Sequence, residues 1–271
     1  MGLGNRGLVS LALLLALLLG ACATAPISGR RQLRLVSDTE LSSLSAQEYD
    51  KFLKENKLSD DAMATAMVKR VGARISRAAV QYFEEKGQAG YLDGYDWRFE
   101  LIKDDTINAW CMPGGRVVFY TGILPVTKDE AGLAVVMAHE ISHAVAAHGN
   151  ERMSQSMLVN LGATALSKAL TDKPELTQQL FLGAFGAGAN LGVLLPFSRE
   201  HEYEADYLGL IFMARAGYNP QAAIEFWGRM SALGGSKTPA YLGTHPSNED
   251  RIKKLESRMP EAMEAYKKTG K

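Results

Sequence analysis

Cysteine is nearly absent from this chain, which has only Cys22 and Cys111, so a disulfide framework does not hold its fold together. Cys111 lies in an apolar, strand-like segment and reads as a small buried residue rather than a nucleophile. An excess of charge is missing too: 30 Lys and Arg balance 30 Asp and Glu, so no nucleic-acid surface and no acidic substrate are expected. No internal repeat of roughly twenty to fifty residues is present, which argues against a solenoid. Uninterrupted apolar runs of the roughly twenty residues a membrane span needs are also lacking. Beyond the N-terminal run described below, residues 158–170 and 180–195 come nearest. Both are short, and the second is rich in glycine (Gly183, Gly186, Gly188, Gly192) and broken by Asn190. Buried or membrane-touching helices are expected there, with a transmembrane hairpin as the alternative.

What is present begins with an address. Arg6 precedes an apolar run over residues 8–19, which ends in Leu19-Gly20-Ala21-Cys22. A basic start, a short apolar stretch and small residues before a cut site read as a signal peptide over residues 1–21, with an uncleaved anchor helix as the alternative. Leu-Gly-Ala-Cys also resembles a bacterial lipobox, which implies a lipidated Cys22. Ala23 stands where an aspartate would imply inner-membrane retention, so the expected location is the periplasmic face of the outer membrane. Residues 22–36, with Arg30, Arg31 and Arg34, then read as a solvated, lipid-anchored tether. Residues 37–271 are long enough for a single domain with its own core.

Within that domain, Ser37-Asp38-Thr39-Glu40 opens a helix to about residue 55. Ser59-Asp60-Asp61 caps another to about residue 86, with Met63, Met67, Val71, Ile75 and Val80 in a 3.6-period stripe. The period then shifts towards two, and residues 97–102, 109–112 and 117–121 read as strands, the last two joined by the turn Pro113-Gly114-Gly115. Residues 108–115 and 117–120 are candidates for the wall of a cleft to which an extended substrate adds as a strand, with Asn108, Gly114 and Gly115 beside it. An ordinary core hairpin is the alternative reading.

The organising stretch is His139-Glu140-Ile141-Ser142-His143. Two histidines four residues apart on a helix reach one ion from the same face, and the intervening glutamate can act on a water held there. This H-E-x-x-H pattern is that of zinc peptidases, with Glu140 as general base. Thr127 and Glu130 have capping-box spacing, Leu133, Val136 and Met137 supply an apolar face, and Gly149 suits a C-terminal cap. A catalytic zinc usually takes three protein ligands. His148 is turned away from the pair's face and reads as a helix-end or hydrogen-bonding residue. The better third ligand is Glu202, four residues before Asp206 on an otherwise apolar helix from about residue 198 to 215. A metal and a metal-bound imidazole would satisfy such carboxylates, with Glu202 as ligand and Asp206 accepting from a ligand histidine. A solvated acidic first turn would account for Glu200 and Glu204. His201 is expected to point elsewhere.

Asn108-Ala109…Pro113-Gly114-Gly115, the H-E-x-x-H stretch and Glu202-x-x-x-Asp206 occur in the order seen in one group of metallopeptidases. The chain resembles that group, which includes the CAAX prenyl endopeptidase, the membrane protease HtpX and periplasmic lipoprotein or soluble members acting in outer-membrane quality control. The resemblance runs from residue 29 to about residue 251. It departs from the multi-spanning members in lacking clear transmembrane helices, and from some periplasmic ones in lacking a helical-repeat domain. It implies an α+β, mainly α, zincin-like (gluzincin) domain with a small antiparallel sheet beside the H-E-x-x-H helix. It also implies one zinc ion (Zn2+) per chain on His139, His143 and Glu202, and catalysis by Glu140. His245, in Thr244-His245-Pro246, matches a histidine that lies over the metal, either as a reversible fourth ligand or as an oxyanion donor. Arg251 matches a residue facing the cleft. The expected activity is zinc-dependent endoproteolysis of unfolded or misassembled envelope proteins, with outer-membrane assembly machinery as a further partner. The rivals are a zinc-containing chaperone or assembly factor with secondary proteolysis, and a purely structural zinc protein.

Overall fold

Polar caps and apolar periods set the helices of the chain. The computed structural model describes residues 22–25, 27–157, 197–233, 239–246 and 249–270. The expected signal peptide and the apolar stretches 158–170 and 180–195 lie outside the described residues. Helix α1 (Asp38–Glu55) opens with Ser37 and Glu40 in a reciprocal capping box. Helix α2 (Ala62–Glu85) is capped by Asp61 and buries Val68, Val71, Ile75, Ala79, Tyr82 and Phe83. Among the described residues, no helix is long and apolar enough to cross a membrane.

Two short strands, β1 (Cys22–Thr24) and β2 (Arg31–Leu33), pair antiparallel at the N-terminus. The segment expected as a solvated tether is instead packed on the helices. Ala25 and Gln32 are buried, and Gln32 donates to the Ala146 carbonyl at 2.7 Å. A side-chain amide that meets an orphan helix-end carbonyl holds a segment down far better than basic composition alone would indicate.

Strands β3 (Arg98–Ile102), β4 (Ala109–Met112) and β5 (Arg116–Tyr120) form the main sheet in the order β3-β5-β4. β4 and β5 are antiparallel, but β3 and β5 are parallel, so the sheet is mixed rather than the antiparallel one expected. The reason is the link from β3, which skips one strand position before β4 begins; β5 then turns back into the gap. That crossing is fixed by Thr121, whose hydroxyl donates to the Asp104 carbonyl at 2.8 Å and accepts from the Asp104 N–H. β5 is therefore central, and among the described residues β4 is the edge of the two candidate substrate-binding strands. Alternate residues face two apolar layers. Ala109, Cys111, Val117 and Phe119 join the core with α2, while Trp110, Met112, Val118 and Tyr120 pack against Tyr49 and Phe52 of α1.

A 3-10 turn (Thr121–Ile123) and a short helix α3 (Leu124–Thr127) lead into α4 (Glu130–Val145), which is buried from Gly132 to Val145. Its cap is Asp129, which accepts from the Gly132 N–H, and not Thr127, which closes α3. Nor does Gly149 end it: the helix ends at Val145 with Ala146 as its cap, Ala147 takes φ +58°, and a further helix, α5, runs over the described residues 148–157. After the undescribed stretch come α6 (Arg199–Arg215), α7 (Ala222–Ala232), α8 (Ala240–Thr244) and α9 (Glu249–Lys267). α6 lies directly on α4, and Gly209 sets how close they come. A Cβ there would stand 3.3 Å from the His139 amide nitrogen.

The entry to α4 is equally tight, since a Cβ at Gly132 would fall 2.0 Å from the Thr127 carbonyl oxygen. Alanine is favoured over glycine in helices by about 1 kcal/mol, but this clash is with backbone. Gly132→Ala should therefore lower stability by about 1–3 kcal/mol, as strained cores do, measured as a fall in the urea midpoint. A midpoint that rises would contradict the account of how α4 is seated.

Candidate metal centre

Helix α4 presents His139 and His143 on one face, one turn apart, with their Nε2 atoms 3.0 Å from each other. α6 crosses this face and supplies Glu202, whose carboxylate oxygens lie 3.5 Å from His139 Nε2 and 3.4 Å from His143 Nε2. From beyond α8, His245 turns its Nδ1 to within 3.2 Å of His139 Nε2 and 3.0 Å of Glu202 Oε1. All four side chains are buried, at 1–3% exposure.

This donor set fits a metal ion. Imidazole nitrogens 3.0 Å apart can share at most one proton, and here three ring nitrogens and a carboxylate oxygen converge within 4.8 Å of one another. A tetrahedral ion with bonds of about 2.0–2.1 Å separates its ligand atoms by about 3.3 Å. The separations above scatter around that value.

The surroundings orient each ligand. Asp206 Oδ1 stands 3.0 Å from His139 Nδ1, on the ring edge away from the convergent atoms. Arg251, 1% exposed, forks onto Asp206 at 2.8 and 2.7 Å and places Nη1 2.5 Å from Glu202 Oε2, with its guanidinium 3.7 Å over the Trp227 ring. The expectation that Arg251 faces the cleft gives way to a positioning role, because its three nitrogens already serve Asp206, Glu202 and the Pro246 carbonyl. Burial raises the pKa of Glu202, but Arg251 and His245 outweigh it and hold the carboxyl well below its ordinary range. Asp206 is lowered likewise, with Arg251 against burial.

Glu140 lies beside the four and accepts a hydrogen bond from the Tyr241 hydroxyl at 2.8 Å; His245 Nε2 is 3.5 Å from the same oxygen. Burial and the Glu140 charge push the Tyr241 pKa far up, so the phenol stays a donor. Tyr241 escaped the sequence reading, since nothing local marks it. Arg152 escaped it too. It is 4% exposed, stacks on Phe197 at 3.4 Å, and lines a narrow groove of about 20 Å³ with Asn108, Cys111, Glu140, His143 and His245. The outer side of β4 forms that groove's wall. Gly114 lines a larger cavity of about 560 Å³ that continues past His143. Gly115 belongs to neither and backs onto Trp97, with φ +87° fitting it to the turn. His148 and His201 stand outside the convergent set, as expected, although Glu204 is largely buried rather than solvated.

Comparison with known proteins agrees with this geometry. The model of peptidase family M48 matches residues 61–259. The mitochondrial metalloendopeptidase OMA1 of Schizosaccharomyces pombe is 36% identical over 88% of this chain and 66% of its own length. The protein of that name in Saccharomyces cerevisiae is 29% identical over 94% of this chain and 76% of its own. The beta-barrel assembly-enhancing protease of Escherichia coli is 33% identical over 58% of this chain and 33% of its own length. The chain thus spans between a third and three quarters of these relatives. The resemblance to a metallopeptidase group holds at the level of the family, and these relatives bear names other than HtpX or the CAAX prenyl endopeptidase.

Acid should weaken metal binding in a defined window. In the metal-free protein, burial opposes a charged His139, but Asp206 and Glu202 prevail and raise its pKa to about 9. His143 is pulled the other way by burial and is already neutral. An ion must displace the His139 proton at any pH below about 9. Affinity, followed by chelator competition, should then rise about tenfold per pH unit towards pH 9 and level off above it. A flat profile from pH 7 to 9 would contradict this assignment. With its H-E-x-x-H helix, its third carboxylate and the match over residues 61–259, the chain belongs to peptidase family M48.

Proposed function

We propose that this chain is a zinc-dependent metalloendopeptidase of the bacterial cell envelope that hydrolyses misfolded or misassembled envelope proteins. The observation that carries the activity is the convergence of His139, His143 and Glu202 beside the carboxylate of Glu140. Three nitrogen and oxygen donors of this kind suit zinc. The envelope assignment draws on the N-terminal sequence, with Cys22 as the lipidated anchor to the periplasmic face of the outer membrane, and on the name of the Escherichia coli relative. Residues 37–271 form the peptidase domain in this reading, with the outer-membrane assembly machinery as a possible partner class.

Bound zinc supplies Lewis acidity, polarising a carbonyl and acidifying water. The protein does the rest. The open edge of β4, with Asn108 at its start, receives an extended substrate by strand addition, which reads backbone rather than side chains. Glu140 takes a proton from the attacking water and returns it to the leaving amine. Tyr241 holds the Glu140 carboxylate in position, and Arg152 sets positive charge along the groove where the oxyanion develops.

His245 Nδ1 lies 3.2 Å from His139 Nε2, where it would act as a fourth ligand, and the Tyr241 N–H is bonded to the Ile107 carbonyl just before β4. In this reading His245 would serve as a displaceable fourth ligand rather than an oxyanion donor, keeping the enzyme latent until that segment moves. The same closure favours a second reading, an assembly factor whose zinc site is seldom open.

Digestion of casein and of unfolded outer-membrane proteins by the full chain separates the two. Cleavage should be chelator-sensitive, should fall about 10²–10⁴-fold in Glu140→Gln, and should be retained or raised in His245→Ala. If His245→Ala binds zinc but cuts neither substrate, the peptidase reading fails and the assembly factor takes its place.

A further inference from the structure

His139 is oriented by a carboxylate in direct contact. The outward ring edge of His143 meets another imidazole instead, and what stands behind that reaches across the molecule to the N-terminal hairpin. The Nδ1 of His143 lies 3.0 Å from Nδ1 of His148, whose Nε2 lies 3.1 Å from Glu204 Oε2. Glu204 accepts from the Ser28 hydroxyl at 2.6 Å and from Arg30 Nε at 3.3 Å. The other two nitrogens of Arg30 fork onto Glu151 at 2.8 and 2.6 Å. Glu151 in turn lies 3.0 Å from His201 Nε2, and the His201 ring stacks on His148 with centroids 4.5 Å apart. His148, Glu151 and His201 are buried, and neither the metal centre nor the proposed reaction uses them.

Proton bookkeeping along this chain has one consistent solution. A metal on His143 Nε2 leaves the ring proton on Nδ1. Two ring nitrogens 3.0 Å apart share one proton, so His148 Nδ1 must accept it. The proton of His148 then sits on Nε2, pointing at Glu204, an ionised carboxylate that can only accept. Ser28 and Arg30 donate to two further acceptor sites of that carboxylate. Reversing either tautomer sets two lone pairs or two N–H groups against each other in a dry interior.

We propose that Ser28, Arg30, Glu204 and His148 form a positioning relay that fixes the tautomer and ring orientation of His143, making the N-terminal hairpin a working part of the metal centre. The proposal rests on the metal-centre reading above. It goes beyond that reading by giving a role to a segment distant in sequence. Removing partners that orient a metal-binding histidine typically costs 10–100-fold in metal affinity.

The test is zinc affinity by competition with a fluorescent chelator, with the metal-free thermal midpoint recorded on the same full-length samples. His148→Phe and Glu204→Ala should each weaken zinc binding about 10–100-fold. The double variant should be no weaker than the worse single one, because the groups act in series. Arg30, whose side chain is 25% exposed, tolerates replacement if a buried variant fails to fold. Arg30→Gln should weaken binding severalfold, and Arg30→Lys should recover part of the loss. Wild-type affinity within twofold in the folded variants, with only the thermal midpoint lowered, would overturn the relay. A wild-type chain that binds no zinc would instead overturn the metal centre, and the relay with it.

Discussion

The structure depends on the close crossing of α4 and α6. Gly209 lets α6 come near enough for a Cβ to sit 3.3 Å from the His139 backbone, and this brings Glu202 and Asp206 to the histidine pair. Two carboxylates at 1% and 6% exposure carry a desolvation penalty of several kcal/mol each unless paired. Arg251 pairs with both, and its own burial under Trp227 is tolerable only because they are there. Fold and site are thus one arrangement. The helix that carries the ligands is also the centre of the core, and its partner is held on by the charges the metal needs.

The same reasoning explains why the site is shut. An ion held by two histidines and a carboxylate keeps room for a fourth ligand, so in the proposed peptidase a fourth donor would be drawn in when substrate is absent. His245 is the nearest one, on a segment tied through Tyr241 to the start of β4 and to Glu140. Its backbone N–H bonds to Tyr241, the Tyr241 N–H bonds to Ile107, and the Tyr241 hydroxyl bonds to Glu140. In the proposed peptidase, opening the centre would move the residue that orients the base, so latency and catalysis would draw on the same side chains. The narrow groove beside β4 is the physical counterpart of this closure.

Much of this was legible in the sequence, for identifiable reasons. His139 and His143 are four apart, as are Glu202 and Asp206, and carboxylates inside an apolar helix demand partners. The helices were legible where a capping residue had one candidate, as at Ser37. At Thr127 two caps competed, and Asp129 prevailed because Thr127 closes the preceding helix. The mixed sheet was hidden because strand order depends on contacts such as Thr121 with Asp104, which leave no periodic trace. Tyr241, Arg152, and the group joining Arg30 to His148 were hidden for the same reason. Each meets partners about a hundred or more residues away or on another element, and each residue alone reads as ordinary.

The central claim is that His139, His143, Glu202 and His245 surround one metal ion. X-ray absorption at the zinc edge of the purified full-length chain tests it most directly. The account predicts one zinc per chain with only nitrogen and oxygen ligands at about 2.0–2.1 Å, and imidazole scattering from three rings that falls to two in His245→Ala. Zinc bound with the same ring scattering in His245→Ala, or no zinc retained by the wild type, would contradict it.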